Sequence, residues 1–302
     1  MGPAAAAGVP DEPVPVLVEQ RFPLKLSEEV PALRRLYEES KRARWDPRRQ
    51  VPWDALGAAA IARRERAAAA ATWRRRAWVE ATALTETPAL VVRFCMEKGR
   101  EAETRMFLTV RNTEEAWQVE ACDMLARALA APDGAKPPAR PGTEAYAALF
   151  NRRLHRAAFD ARNDLDALVA VHCLFEDGLE HRLAQAHRAS TANPAIAAVL
   201  DRFVAAKARH ASFGRLYLQH RAPGLDDAAR GRIAAAIVQH VTEVEFAGYH
   251  LPWLAPNAAA AEAAADAVTA TAGLGAATPE AEAAALRAWL TELRAYLAGL
   301  GV

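Results

Sequence analysis

The chain has 302 residues, 52% of them apolar, and a formal net charge of +1. That length is ample for a buried core, and the near-neutral balance argues against a protein held to nucleic acid chiefly by phosphate contacts. Alanine fills 75 positions against 15 Gly and 18 Pro, which favours helix and leaves too few turn formers for an all-β fold.

Residues 1–26 are Pro-rich and aperiodic and are expected to form an extended arm. A short helix is predicted over 27–44, followed by a structured loop at 44–54 whose Trp45 and Trp53 pack on the core. A long helical pattern runs from Ala55 to Lys98 with a kink at Pro88, and Gly99 is its expected C-terminal cap. A second helix is predicted over 101–131, then a linker at 131–142. The next helical pattern ends near Ser190. Asn193-Pro194 has the form of an N-cap followed by a first-turn proline. Helices are predicted from there to His220 and over 226–247. An Ala-rich helix at 257–273 and an amphipathic one at 279–299 close the chain. The expected organisation is an arm at 1–26, a helical bundle at 27–254, and C-terminal helices at 255–302 packing on or appended to that bundle.

Cys95, Cys122 and Cys173 fit neither a zinc spacing nor a disulfide framework, which suggests reduced thiols and a cytoplasmic protein. The N-terminal residues lack the basic and apolar regions of a signal peptide, and no stretch suits a membrane span.

Four predicted helices carry polar residues within apolar stripes. Their spacings of three and four place Trp73, Ala77, Glu80 and Leu84 on one face, and Leu108, Glu115, Gln118 and Cys122 on another. The third stripe holds Val169, His172, Glu176, Leu179 and Leu183, and the fourth holds Phe203, Lys207, His210, Gly214 and Tyr217. Measured from the turn at Gly99, Glu80 and Glu115 lie at similar heights, roughly 24–28 Å along an antiparallel hairpin at 1.5 Å per residue. Glu176 and Lys207 lie at matching heights about the turn at Thr191. Two such hairpins make a four-helix bundle with Glu80, Glu115, Glu176 and Lys207 converging. Lys207 stands out because the chain has 33 Arg and only 5 Lys. A compact ammonium suits a metal-sized hole better than a guanidinium does. It is therefore read as an internal cation paired with Glu115 and Glu176. Glu176 is preferred to Glu180, one turn on. Glu243, Glu245 and His250 are read as surface acids and a capping histidine.

The strings Glu114-Glu115-Ala116-Trp117-Gln118 and Ala206-Lys207-Ala208-Arg209-His210 resemble two copies of the Asp-Glu-Ala-Arg-His motif of ferritin-like di-iron carboxylate proteins. Glu176-Asp177-Gly178 is similar to their third-helix Glu. The intervals of 35, 61 and 31 residues from Glu80 through Glu115 and Glu176 to Lys207 resemble those of the p-aminobenzoate N-oxygenase branch and of oxidases near the ribonucleotide reductase small subunit. The resemblance spans about residues 44–250 and implies an all-α, ferritin-like four-helix bundle with additional terminal helices. It breaks at three positions. Gln118 stands for a His ligand, Lys207 for a bridging Glu, and Phe203 for an extra His of the N-oxygenases.

Two functional readings follow. In the first, the protein is an oxidoreductase or oxygenase acting on a small molecule, with at most one Fe or Mn per chain. Glu80, Glu115, Glu176 and His210 are the ligands, with Gln118 and His172 behind them. In the second, Lys207 replaces the metal, as the resemblance to metal-free ribonucleotide reductase small subunits implies. The chain is then a non-catalytic partner of an active homologue, or an enzyme using Lys207 and Tyr217. Expected partners are a small-molecule substrate and a second subunit, as a homodimer or with that homologue, with no nucleic acid and no membrane.

Overall fold

An antiparallel helical hairpin, α3 (Arg63–Met96) and α4 (Ala102–Ala130), forms one half of the bundle. In this computed structural model the described residues are 30–97, 101–137, 139–149 and 154–302. The expected arm and the Gly99 cap lie outside them. Ahead of the hairpin come α1 (Pro31–Arg42) and α2 (Pro47–Gln50). The long helix begins later than the sequence pattern predicts, because Gly57 adopts a left-handed φ of 56° between two 3₁₀ turns over 53–60. Trp45 is buried, and Trp53 packs on the same apolar cluster while its indole N–H donates to the Pro47 carbonyl.

Short helices α5 (Glu144–Leu149) and α6 (Leu154–Phe159) lead to the second half. There α7 (Leu165–Val169) runs through a π-helical segment, Ala170–Glu176, into α8 (Asp177–Ala189). The Asn193 side chain caps α9 (Pro194–Arg221) by accepting from the Ala195 and Ile196 amides, with Pro194 in the first turn. α10 (Asp227–His240), capped by Asp226, also ends in a π-helical segment, Val241–Glu245. α11 (Ala260–Thr271) covers α3, and α12 (Pro279–Gly299) covers α8. No β-strand occurs among the described residues, so the fold is an all-α, ferritin-like bundle of α3, α4, α7–α8 and α9 with added terminal helices.

The interior has two apolar clusters. One gathers Leu90, Phe94, Phe107, Leu108, Phe213 and Tyr217. The other gathers Trp73, Ala77, Leu125, Ile196, Leu200 and Phe203. Along α3, α4 and α9 the ionisable residues Glu80, Arg111, Glu115, Lys207 and His210 fall between the two, and all are buried. The four-helix core therefore carries a polar belt at mid-height.

The two halves meet closely at Gly214, where an added Cβ would lie 1.9 Å from the Cys173 carbonyl oxygen in the first π segment. That obstacle is backbone, so Gly214→Ala must push α9 away and is expected to destabilise the fold by about 1–3 kcal/mol or more. Gly231, mid-way along α10, has nothing within 4 Å of such a Cβ. Gly231→Ala should instead stabilise by about 0.5–1 kcal/mol, by reducing the freedom of the unfolded chain. Urea denaturation of both variants tests the pair of signs.

Candidate functional site

At the belt, the Lys207 ammonium donates to Glu80 Oε2 at 2.9 Å and to Glu180 Oε2 at 2.6 Å. All three side chains are buried or nearly so. Burial opposes the charge on Lys207, but Glu180, Glu80 and Asp177 overcome it and raise its pKa above the usual lysine value. Burial likewise raises the pKa of Glu80, against the pull of Lys207. Glu180 is held low despite its burial, by Lys207 and by His250, whose Nε2 lies 3.2 Å from Glu180 Oε1.

Glu115 is not a partner of Lys207. Its Oε1 accepts from Arg111 Nε at 2.7 Å and from the Thr87 hydroxyl at 3.1 Å. Thr87 lies seven residues beyond Glu80, about 10 Å further along α3, so the equal heights read from the sequence do not hold. Arg111 also donates to Asp177 Oδ2 at 2.7 Å and reaches Cys173 Sγ at 3.2 Å. Burial pushes Glu115 up to about 7 in spite of Arg111, and pushes the Cys173 thiol up to about 12. Gln118 is buried with neither side-chain polar atom hydrogen-bonded to protein.

His210 faces a different acid again, with Nε2 2.8 Å from Glu114 Oε2, while Arg209 donates to the other oxygen of Glu114. Burial pulls His210 down to about 4, so it is a neutral imidazole. Glu176 is placed against His172 Nδ1 and against His240 Nε2, the latter at 3.0 Å. The reason Glu176 and Glu180 exchange roles is the π segment. Its i→i+5 hydrogen bonds insert an extra residue into the turn and rotate the residues about the axis relative to an unbroken α-helix. Glu180 then faces Lys207, and Glu176 faces α10.

The predicted ligands Glu80, Glu115, Glu176 and His210 are thus all buried, but each is engaged by a different neighbour. Among the described residues they do not form one cluster of converging ligand atoms. Tyr217 lies ten residues beyond Lys207 on α9, about 15 Å along the helix. Its hydroxyl donates to Asp166, and its ring packs edge-on to Phe94 at 5.6 Å. Lys207 and Tyr217 do not share a cavity.

The tail residues are a second departure from the sequence reading. Glu245 is buried, and His250 Nδ1 lies 2.9 Å from its carboxylate, so His250 bridges Glu245 and Glu180. Glu245 ends the second π segment and His250 lies five residues on, past the turn at 246–248, so the two share no α-helical face. Burial opposes protonation of His250, but Glu245 and Glu180 raise its pKa to about 10. A histidine raised in the folded state stabilises fully below its unfolded pKa of about 6.5, and loses that contribution as pH rises through about 10. The melting temperature should fall between pH 7 and pH 10, and the slope should flatten in His250→Gln. Equal slopes for the two proteins would remove His250 from the network.

A cavity of about 60 Å³ adjoins the Lys207 cluster. Val79, Leu183, Leu200 and Phe203 form its apolar walls, and Arg75, Arg76 and His187 line it along with Lys207, His250, Glu80 and Glu180. Arg75 is committed to Asp266. Arg76 stacks on Trp73 and donates to the Gly275 carbonyl, with no carboxylate within salt-bridge distance among the described residues. Burial, followed by other effects including the neighbouring Arg75, lowers its pKa.

In ferritin-like two-metal centres, one Glu comes from each of two helices and a Glu-x-x-His pair from each of the other two. Here both pairs are incomplete, at Gln118 and at Lys207. An ammonium sits between the carboxylates that would have to converge on an ion, and a guanidinium holds Glu115. The residues present do not fit a metal pair at the bundle centre.

No protein-family model matches the sequence, and no curated protein matches it. Solved structures do. An R2-like ligand-binding oxidase with an aerobically reconstituted Mn/Fe cofactor aligns over 89% of this chain and 93% of its own, with a TM-score of 0.64 and 17% identity. A variant of such an oxidase with an Fe/Fe cofactor aligns over 90% and 94%, with a TM-score of 0.63 and 16% identity. The likeness is one of fold, and it agrees with the ferritin-like bundle inferred from the motif spacing.

Proposed function

We propose that this chain is a ferritin-like small-molecule-binding protein whose bundle centre is held by internal cations instead of metal. The observation that carries the reading is the Lys207 ammonium bonded to both Glu80 and Glu180. An ammonium so placed neutralises the carboxylates that an ion would otherwise serve. Raised in pKa, it is also a poor nucleophile, so Lys207 acts as a counter-ion and not as a Schiff-base lysine.

The cavity beside it supplies the binding site. Phe203 and Leu200 offer an apolar surface, and Arg76 offers a half-buried cation without a carboxylate partner among the described residues. The ligand that fits this pairing is a small molecule with an apolar body and one anionic group. The structural neighbours are themselves described as ligand-binding oxidases, which is consistent with a bundle that accommodates a guest.

Calorimetric titration of propionate, an anion small enough for a cavity of about 60 Å³, run in EDTA, tests the reading. Binding is expected with Kd at or below about 1 mM, unchanged by EDTA and weakened about tenfold or more by Arg76→Gln. Binding that disappears in EDTA, or that ignores Arg76→Gln, would refute it.

A further inference from the structure

Beside the Lys207 cluster, but distinct from it, lies a group of side chains with a different chemistry. Glu86 of α3 and His172 and Glu176 of the first π segment bring ligand atoms within 4.8 Å of one another. All three are more than nine-tenths buried. His172 Nδ1 is taken by Glu176, but its Nε2 is buried without a hydrogen-bond partner. The three line a cavity of about 20 Å³ with Asp177, Glu180, Tyr249 and Arg111 also on its wall, and the Arg111 guanidinium is already committed to Glu115 and Asp177. That volume admits one water or one small ion, since a single water needs roughly 10–15 Å³ by this measure.

From these observations we infer that Glu86, His172 and Glu176 form a binding site for one divalent transition-metal ion, separate from the bundle-centre position that Lys207 occupies. One imidazole and two carboxylates, with no thiolate, suit Mn²⁺ or Fe²⁺. Three protein ligands would leave positions open for water or another small ligand.

The surroundings support the three residues in the manner usual for metal sites. Ligating carboxylates are held by further hydrogen-bonding groups that fix their orientation. Here His240 Nε2 makes charge contacts without hydrogen-bond geometry, 3.0 Å from Glu176 Oε1 and 3.4 Å from Glu245 Oε1. Glu245 is in turn anchored by His250. His240 also lines a surface groove of about 480 Å³ between the α7 and α10 regions, which brings solvent to within one side chain of Glu176. His172 lies in the first π-helical segment and His240 adjoins the second, and such segments concentrate at functional sites. The inference does not depend on the small-molecule reading above, because it uses none of the residues that define that cavity's cationic end.

The test uses metal-stripped full-length protein and MnCl₂ at pH 7.5, with free Mn²⁺ counted by electron paramagnetic resonance. About one Mn²⁺ per chain is expected. Glu86→Gln and His172→Gln should each weaken binding about tenfold or more, while Glu80→Gln leaves it within about twofold. Circular dichroism confirms that the variants are folded. Echo-modulation spectra of the Mn²⁺ complex of the unaltered protein should carry the ¹⁴N coupling of a directly bound imidazole, a readout that needs no variant. Absence of binding, absence of nitrogen coupling, or loss of binding in Glu80→Gln with retention in Glu86→Gln would each overturn the assignment.

Discussion

Lys207→Met should destabilise the protein by about 3–5 kcal/mol in EDTA, the usual cost of removing one partner from a buried ion pair. The variant leaves Glu80 with no bonded cation and Glu180 with only His250, in a site where all of these groups are buried or nearly so. Met is close to Lys in length and apolar, so the loss reports charge and not a cavity. Lys207→Glu should be worse in EDTA, because it adds a third carboxylate beside Glu80 and Glu180. Three carboxylates at one level are also a better site for a cation. Excess Mn²⁺ should therefore recover more stability in Lys207→Glu than it adds to the unaltered chain, on the order of 2.7 kcal/mol at a hundredfold excess over Kd. Thermal melts of the three proteins, with and without Mn²⁺, check the series. An exposed or redundant lysine predicts shifts within about 0.5 kcal/mol and no difference in metal response.

The series also explains what could be read from the sequence and what could not. Helix positions and the bundle were legible because apolar stripes at spacings of three and four, the Asn193-Pro194 cap and the Gly and Pro breaks are local signals. The scarcity of lysine singled out Lys207 as an internal cation, but neither partner read for it holds: Glu80 and Glu180 take the places expected of Glu115 and Glu176. The identity of these acids was not legible. Choosing between Glu176 and Glu180 required knowing that residues 170–176 wind as a π helix, and that winding is set by tertiary packing against Gly214 and α10. The same blindness hid Glu245 and His250, which share no α-helical face but meet across the turn that follows the second π segment. Arg111 was the most recoverable omission. It lies four residues before Glu115, the ordinary spacing of a helical ion pair, and only its burial distinguishes it from the many surface arginines.

Arg111→Met is expected to be comparably severe, with a pH dependence that identifies the cause. One guanidinium serves two fully buried acids, through Nε to Glu115 and through Nη1 to Asp177. Glu115 already sits at about 7, raised from an ordinary 4.5 by burial with Arg111 in place. Burial also holds Asp177 well above its ordinary value, despite Arg111. Without the guanidinium both carboxyls should rise further and remain protonated in the folded state. An acid raised in the folded state binds more protons there than in the unfolded chain, so stability falls as pH climbs from the unfolded value toward the folded one. The deficit of Arg111→Met should therefore be small near pH 5, where a protonated carboxyl needs no counter-ion, and reach about 3–5 kcal/mol near pH 8. Arg111→Lys keeps the charge but cannot offer two donors in a fixed fork, and should lie between the two. Adding Glu115→Gln and Asp177→Asn to Arg111→Met removes the acids that need compensation, and should recover much of the loss at pH 8 while changing little at pH 5. Urea denaturation at both pH values separates this from a packing defect, which predicts the same deficit throughout and no recovery from neutralising the acids.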